Sequence, residues 1–71
     1  MYKGQAVVTK LGNGVVLGFE DFDENGNQLP NSVKDNGRRV QVQLDNPRNW
    51  IGYETHGHPY FFRSDLYEFK P

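Results

Sequence analysis

The chain of 71 residues contains no cysteine, which excludes disulfide bonds and thiolate metal sites. A secreted domain of this size usually relies on such cross-links, so their absence favours a cytoplasmic protein. No run of about 18 apolar residues occurs, so no membrane-spanning helix is expected. The apolar segment 15–19 is too short for the core of a signal peptide.

Net charge is also small, because 8 lysines and arginines face 9 acidic residues for a formal charge of −1. Bulk positive charge is therefore not available to attract nucleic acid. The length allows one domain, residues 1–71, and is too short for a Rossmann or (β/α)₈-barrel enzyme.

Aromatic side chains, by contrast, are frequent: one Trp, four Tyr and five Phe make up 14% of the chain. So small a core cannot enclose them all, and we expect at least two to be exposed and adjacent. Exposed Trp, Tyr and Arg are the residues that anchor interfaces. The predicted partner-binding surface comprises Arg48, Trp50, Tyr53, Tyr60, Phe62 and Arg63. For any single ring, packing in the core remains the alternative, and Trp50, Phe61 and Phe69 are the candidates for it.

Eight glycines and four prolines divide the chain into short segments. Alternating and β-branched residues predict strands at residues 5–10, 15–23, 38–45, 50–56, 60–62 and 67–69. The clearest is 38–45, where Val40, Val42 and Leu44 alternate with glutamines. Residues 15–19 are apolar on both faces, so the pattern leaves open which face points inward.

Three connections follow from the polar segments between these strands. Asn13 and Gly14 predict the centre of a tight turn at residues 11–14. Residues 24–37 predict a long surface loop, and residues 64–66 predict a single short 3-10 turn near the C-terminus. The pattern is typical of an all-β fold, and closure into a small antiparallel barrel leaves the fewest unpaired strand edges.

Three segments carry a resemblance to a known group of folds. Residues 7–18 look like a first hairpin whose glycine-containing turn precedes an apolar strand, and residues 40–45 look like a central strand that ends in an acidic residue. Residues 61–69 look like an aromatic strand, a helical turn and a last strand. Together they resemble the SH3-like small barrels, the group that includes KOW and Tudor modules. The resemblance implies an antiparallel barrel of five or six short strands that binds peptides, RNA, or polymerase or ribosome surfaces, or that serves as a small accessory subunit.

Two patterns of metal-ligating residues are incomplete. Asp21, Asp23, Asn25 and Gly26 follow the first half of an EF-hand loop, but its twelfth position is Ser32, where a bidentate glutamate is required. An Asn-Gly turn among solvated acids is the simpler interpretation.

His56 and His58 place two imidazoles close together, whereas zinc needs three or four ligands. Glu54 and Asp65 are acids that could add to them, but nothing in the pattern places them there. We expect no metal and no cofactor.

Nucleophilic catalysis has little support in the sequence. Ser32 and Ser64 are the only serines, and a triad needs them to converge with a histidine and an acid in a concave pocket. A barrel this small has no interior cavity for a substrate. Residues 12–14 lack the third glycine and the helix of a phosphate-binding loop. We therefore expect no enzymatic activity.

Two hypotheses of function remain. The first is a small regulatory or accessory factor that docks on another protein through Arg48, Trp50, Tyr53 and Tyr60 together with the loop 24–37. The second is a KOW-like nucleic-acid-binding barrel, in which arginine and aromatic side chains stack on bases. Its candidate contacts are Arg38, Arg39, Arg48 and Arg63.

Overall fold

The computed structural model describes residues 1–69, apart from the side chain of Asn31. It is an antiparallel sheet of six strands, which confirms the all-β prediction. The strands are β1 (Ala6–Thr9), β2 (Gly12–Phe22), β3 (Gln28–Ser32), β4 (Val40–Leu44), β5 (Tyr60–Phe61) and β6 (Tyr67–Glu68). A four-residue helix, α1 (Tyr53–His56), and two 3-10 turns, Pro47–Asn49 and Arg63–Asp65, complete the described chain.

The eleven-residue strand β2 organises the sheet, because it pairs with three other strands. Its first half lies between β1 and β4, and its second half pairs with β4 and then with β3. The register shifts between Val16 and Gly18 against β4, and between Phe19 and Asp21 against β3. Such bulges bend a strand and increase its twist, so one strand serves both halves of the sheet.

The strand order is β5-β4-β2-β1-β6, with β3 attached to β2. Within residues 1–69, β5 and β6 do not pair with each other, so the sheet is not closed. Each of these two strands has only two residues.

The core confirms the alternation predicted for β4, since Val40, Val42 and Leu44 are buried and Gln43 is exposed. In β2, Val16 points inward and Val15 outward, which settles the facing that the sequence left open. Among the described residues, the buried apolar cluster consists of Val7, Val16, Phe19, Val40, Val42, Leu44, Phe61 and Leu66.

The first hairpin turns two residues earlier than the sequence predicts. Thr9 pairs with Gly12, and the Thr9 hydroxyl donates to the Gly12 carbonyl (2.8 Å) while it accepts the Leu11 N–H (2.9 Å). Gly12 has φ +112°, a conformation that favours glycine. The predicted turn centre at Asn13 and Gly14 is wrong, because both residues lie inside β2.

The predicted strand 50–56 is also wrong. Pro47 opens a 3-10 turn, and the N–H groups of Thr55 and His56 then bond back to the Gly52 carbonyl (3.1 and 2.7 Å). These bonds close the single turn of α1. Among the described residues, no helix is long and apolar enough to cross a membrane.

The predicted loop 24–37 contains a strand, β3. Leu29 pairs with Asp21 and Ser32 pairs with Phe19, although this segment carries few β-branched residues. Pro30 lacks an N–H donor and is tolerated because β3 is an edge strand that pairs only with β2. The 3-10 turn predicted near the C-terminus is present at Arg63–Asp65.

Candidate binding surfaces

Most of the segment between β4 and β5, residues 46–59, forms what we call the arm. Its base is fixed by the Asn49 side chain, whose Nδ2 donates to the Leu11 carbonyl (2.9 Å). Trp50 is half-buried and packs against the core. A Cβ on Gly52 would lie only 2.8 Å from the Trp50 ring, so the indole occupies the space that a side chain at position 52 would need. The arm is therefore held close to the sheet by its tryptophan.

Ile51 lies between these two residues and is 99% exposed. Because Trp50 turns inward, its neighbour is directed away from the sheet. Fully burying an isoleucine side chain is worth roughly 1.5 to 3 kcal/mol. Ile51 does not contribute this free energy to folding. If a partner covered Ile51, the free energy would contribute to binding.

An open groove of about 370 Å³ lies beside the arm; we call it the aromatic groove. The rings of Trp50 and His56 meet edge to face there, with centroids 6.2 Å apart. The Arg39 guanidinium lies over the Tyr60 ring at 5.2 Å, a distance at which cation and ring attract each other. His58 lines the same groove, which thus offers ring faces beside one cation.

The two histidines belong to this groove and not to a metal cluster. Nδ1 of His56 lies 2.7 Å from the Thr55 hydroxyl, and His58 is half-buried. Within the part of the chain that the structure describes, no three histidine, aspartate or glutamate side chains gather in a way that could hold a metal ion.

Asp21 and Asp23, the acids of the partial EF-hand pattern, accept hydrogen bonds from other residues of the chain. One carboxylate oxygen of Asp23 accepts the N–H groups of Asn25 and Asn27 (2.9 Å each). The bond from Asn27 contributes most to lowering the pKa of Asp23. Asp21 instead accepts from the Asn36 side chain (3.0 Å). Asp23 thus stabilises the turn between β2 and β3, whereas Asp21 binds a side chain of the segment that precedes β4.

A second open groove, of about 360 Å³, is lined by three arginines; we call it the arginine groove. Its lining comprises Gly37, Arg38, Arg39, Phe62, Arg63 and Ser64, with Glu20 at its base. The arginines come from two places in the chain, the residues that precede β4 and the second 3-10 turn.

Arg39 is fixed by Glu20, which is only 6% exposed. Nε and Nη2 of Arg39 both donate to the same Glu20 oxygen, the first at 2.9 Å. These bonds hold the pKa of Glu20 below its ordinary value despite burial, which acts in the opposite direction. They also raise the pKa of Arg39. The pair therefore stays charged over the whole neutral range.

The other two arginines of the groove have different surroundings. Nη2 of Arg63 donates to Asp35, and its guanidinium lies 5.7 Å from the ring centre of buried Phe19. Arg38 lies over Phe22 at 5.0 Å and forms no ion pair within residues 1–69. Arg38 thus contributes the least neutralised charge of the three.

The structure divides the predicted partner surface between two places. Trp50 and Tyr60 line the aromatic groove, whereas Phe62 and Arg63 line the arginine groove. The remaining two predicted contacts are the exposed Arg48 in the first 3-10 turn and Tyr53 in α1. Of the predicted nucleic-acid contacts, Arg38, Arg39 and Arg63 come together, while Arg48 lines neither groove.

Ile51 is the exposed residue that sequence reasoning missed. Interpreting residues 50–56 as a strand gave this isoleucine no special position. The signal was the neighbouring Gly52 together with Pro47, because both interrupt strand pairing and favour an irregular surface segment.

Comparison with known proteins finds no family model, no curated protein and no solved structure that matches this chain.

Proposed function

We propose that the protein is a non-enzymatic binding module, a small regulatory or accessory factor that docks on another protein or complex through the arm. The observation that carries this proposal is the complete exposure of Ile51 on a segment fixed by Trp50 and Asn49. A fixed segment loses little conformational freedom on binding, so more of the burial energy of Ile51 contributes to affinity.

The hydrogen bonds of the hydroxyl groups support a role without catalysis. Ser32 donates to Asp21 (3.4 Å), and Ser64 lies in the second 3-10 turn. The Thr55–His56 contact joins neighbouring residues on an exposed turn of helix. In a catalytic triad, a carboxylate orients the histidine that acts as the base for the nucleophile. Among the described hydrogen bonds, no carboxylate bonds to His56 in this way.

We also propose that the sheet is a variant of the SH3-like barrel. Three features support this: the bent β2 shared by both halves, the 3-10 turn Arg63–Asp65, and a last strand that returns to pair with β1. These lie in the segments that carry the resemblance in the sequence.

The docking proposal predicts that Ile51→Ser weakens binding of a partner. Tagged wild-type protein, Ile51→Ser and Tyr67→Ser are used to recover proteins from cell lysate, and a recovered candidate is then purified and titrated against each form. Loss of the contact made by Ile51 should weaken binding by about tenfold or more. Tyr67 is 70% exposed and lies in β6, outside both the arm and the loop 24–37, so Tyr67→Ser is the matched control and should bind as wild type does. Equal affinity of all three forms would rule out the arm as the docking surface.

The alternative function is nucleic-acid binding, and the convergence of Arg38, Arg39 and Arg63 on one groove favours it. It predicts that single-stranded RNA binds in a fluorescence anisotropy titration at about 20 mM salt and is released by about 200 mM, because phosphate contacts depend steeply on salt. If the anisotropy does not change at the lower salt concentration, this alternative is eliminated.

A further inference from the structure

We propose that the arginine groove is a second binding site, separate from the arm, that takes an acidic peptide segment with an apolar residue beside its carboxylates. No residue of the arm lines this groove. The inference therefore does not depend on the docking role of Ile51.

The arginine groove carries an excess of positive charge. Three guanidinium groups line it, whereas two carboxylates, Glu20 and Asp35, pair with them. One positive charge is left uncompensated, and Arg38 is the arginine without an ion pair among the described residues. A carboxylate from a partner would complete the balance.

The hydrogen-bond donors of the groove are pre-organised. Glu20 engages Nε and Nη2 of Arg39, which leaves the other N–H groups of that guanidinium for a ligand, since arginine carries five. Asp35 and the Phe19 ring likewise fix Arg63. Fixed guanidinium groups match the planar geometry of a carboxylate and lose little freedom when they bind it.

The rim of the groove indicates what lies beside the carboxylate. Phe62 is 64% exposed and lines the groove together with Ser64. An apolar side chain of the ligand would cover this ring, whereas a single strand of nucleic acid would have to stack a base on it. The arrangement of charges favours the peptide: phosphates follow one another along a strand and require a track of cations, but Arg48, the next arginine in the chain, does not line the groove.

The test uses a short fluorescein-labelled peptide of glutamates with one central phenylalanine, and a matched peptide in which glutamine replaces every glutamate. Fluorescence anisotropy should show saturable binding of the acidic peptide with a Kd on the order of 100 µM at low salt. The glutamine peptide should bind at least about tenfold more weakly, because it lacks the charge that the guanidinium groups recognise.

Variants then locate the site. Arg38→Gln should weaken binding of the acidic peptide by about fivefold or more, and because Arg38 is exposed and unpaired its loss should leave the fold intact. Arg48→Gln is the matched control, with the same change at an exposed arginine outside the groove, and should bind within about twofold of wild type. Ile51→Ser should also bind as wild type, which separates this site from the arm.

Three results would overturn the inference. The first is equal binding of the acidic and glutamine peptides, or no saturable binding of either. The second is an Arg48→Gln variant that loses as much affinity as Arg38→Gln. The third is an oligouridine strand that binds more tightly than the acidic peptide and is released by Arg38→Gln, because this would assign the groove to phosphates.

Discussion

Replacing Arg39 by methionine should lower the free energy of unfolding by about 3 kcal/mol at pH 7. The substitution removes the partner of Glu20, which is 6% exposed, and leaves a buried carboxylate without compensation. Breaking a buried pair in this way costs about 3 to 5 kcal/mol. We expect the lower end because the Arg39 side chain is 44% exposed and solvent screens part of the interaction. Urea denaturation measures the change.

The loss of stability caused by Arg39→Met should depend on pH. In the wild type the pKa of Glu20 is lowered from 4.5, so its contribution to stability is complete above about pH 4.5 and is lost as the pH falls through the lower folded value. Without Arg39, burial raises the pKa of Glu20 above 4.5. The penalty of Arg39→Met should therefore be largest at neutral pH and should shrink as the pH falls through the raised pKa.

Arg38→Met is the control, because it removes a neighbouring arginine that has no ion pair among residues 1–69. It should lower stability by no more than about 1 kcal/mol, which is the size of an exposed cation–ring contact such as that of Arg38 with Phe22. Glu20→Gln should cost less than Arg39→Met, because the arginine it leaves behind can reach water. If Arg39→Met and Arg38→Met have the same small effect at every pH, the Glu20–Arg39 pair does not stabilise the fold.

The second large effect is expected at Gly14, where substitution by alanine should cost about 3 kcal/mol. A Cβ at this position would lie 2.6 Å from the Gln43 carbonyl oxygen and 2.6 Å from Val42 Cγ1. The first of these atoms is backbone and the second belongs to a fully buried side chain. β2 and β4 would have to separate to make room. Thermal or urea unfolding measures the loss.

Asn13→Ala provides the comparison, since Asn13 is the preceding residue of the same strand and is exposed. It should change stability by no more than about 0.5 kcal/mol. A Gly14→Ala protein as stable as Asn13→Ala would mean that β2 and β4 do not need their close approach.

Gly14 also shows how far the sequence can predict this fold. An Asn-Gly pair is a strong turn signal, yet here the glycine is required by the closeness of another strand. The turn is instead set by the Thr9 side chain and by Gly12. A tight turn and the close approach of a neighbouring strand can each require a glycine, so the sequence alone does not distinguish the two cases. The packing of β4 against Gly14 does.

The sequence predicts a strand well where one face of the segment is buried and its side chains alternate. It predicts poorly where a segment becomes a strand only if another strand is available to pair with it. β4 alternates because its inner face meets the core, and this periodicity is local. Residues 50–56 have the side chains of a strand but no partner edge, and they fold into the arm. Residues 28–32 have few such side chains but meet the free second half of β2. Strand preference depends on neighbours more than on the residue itself.

The sites were harder to predict, because distant residues form them. Glu20 and Arg39 are separated by 19 positions, and Arg63 reaches Asp35 across 28. Composition indicated that the aromatic rings outnumber what the core can enclose. It could not indicate that rings and arginines line two grooves with Arg39 in both, or that acids pair with two of the three arginines in one of them.

The position of β2 has a consequence for how ligands affect the molecule. Because β1, β3 and β4 all pair with this one strand, we expect the sheet to unfold as a single cooperative unit. Occupation of either groove would therefore protect the entire chain, with a stabilisation that grows with the logarithm of ligand concentration above Kd.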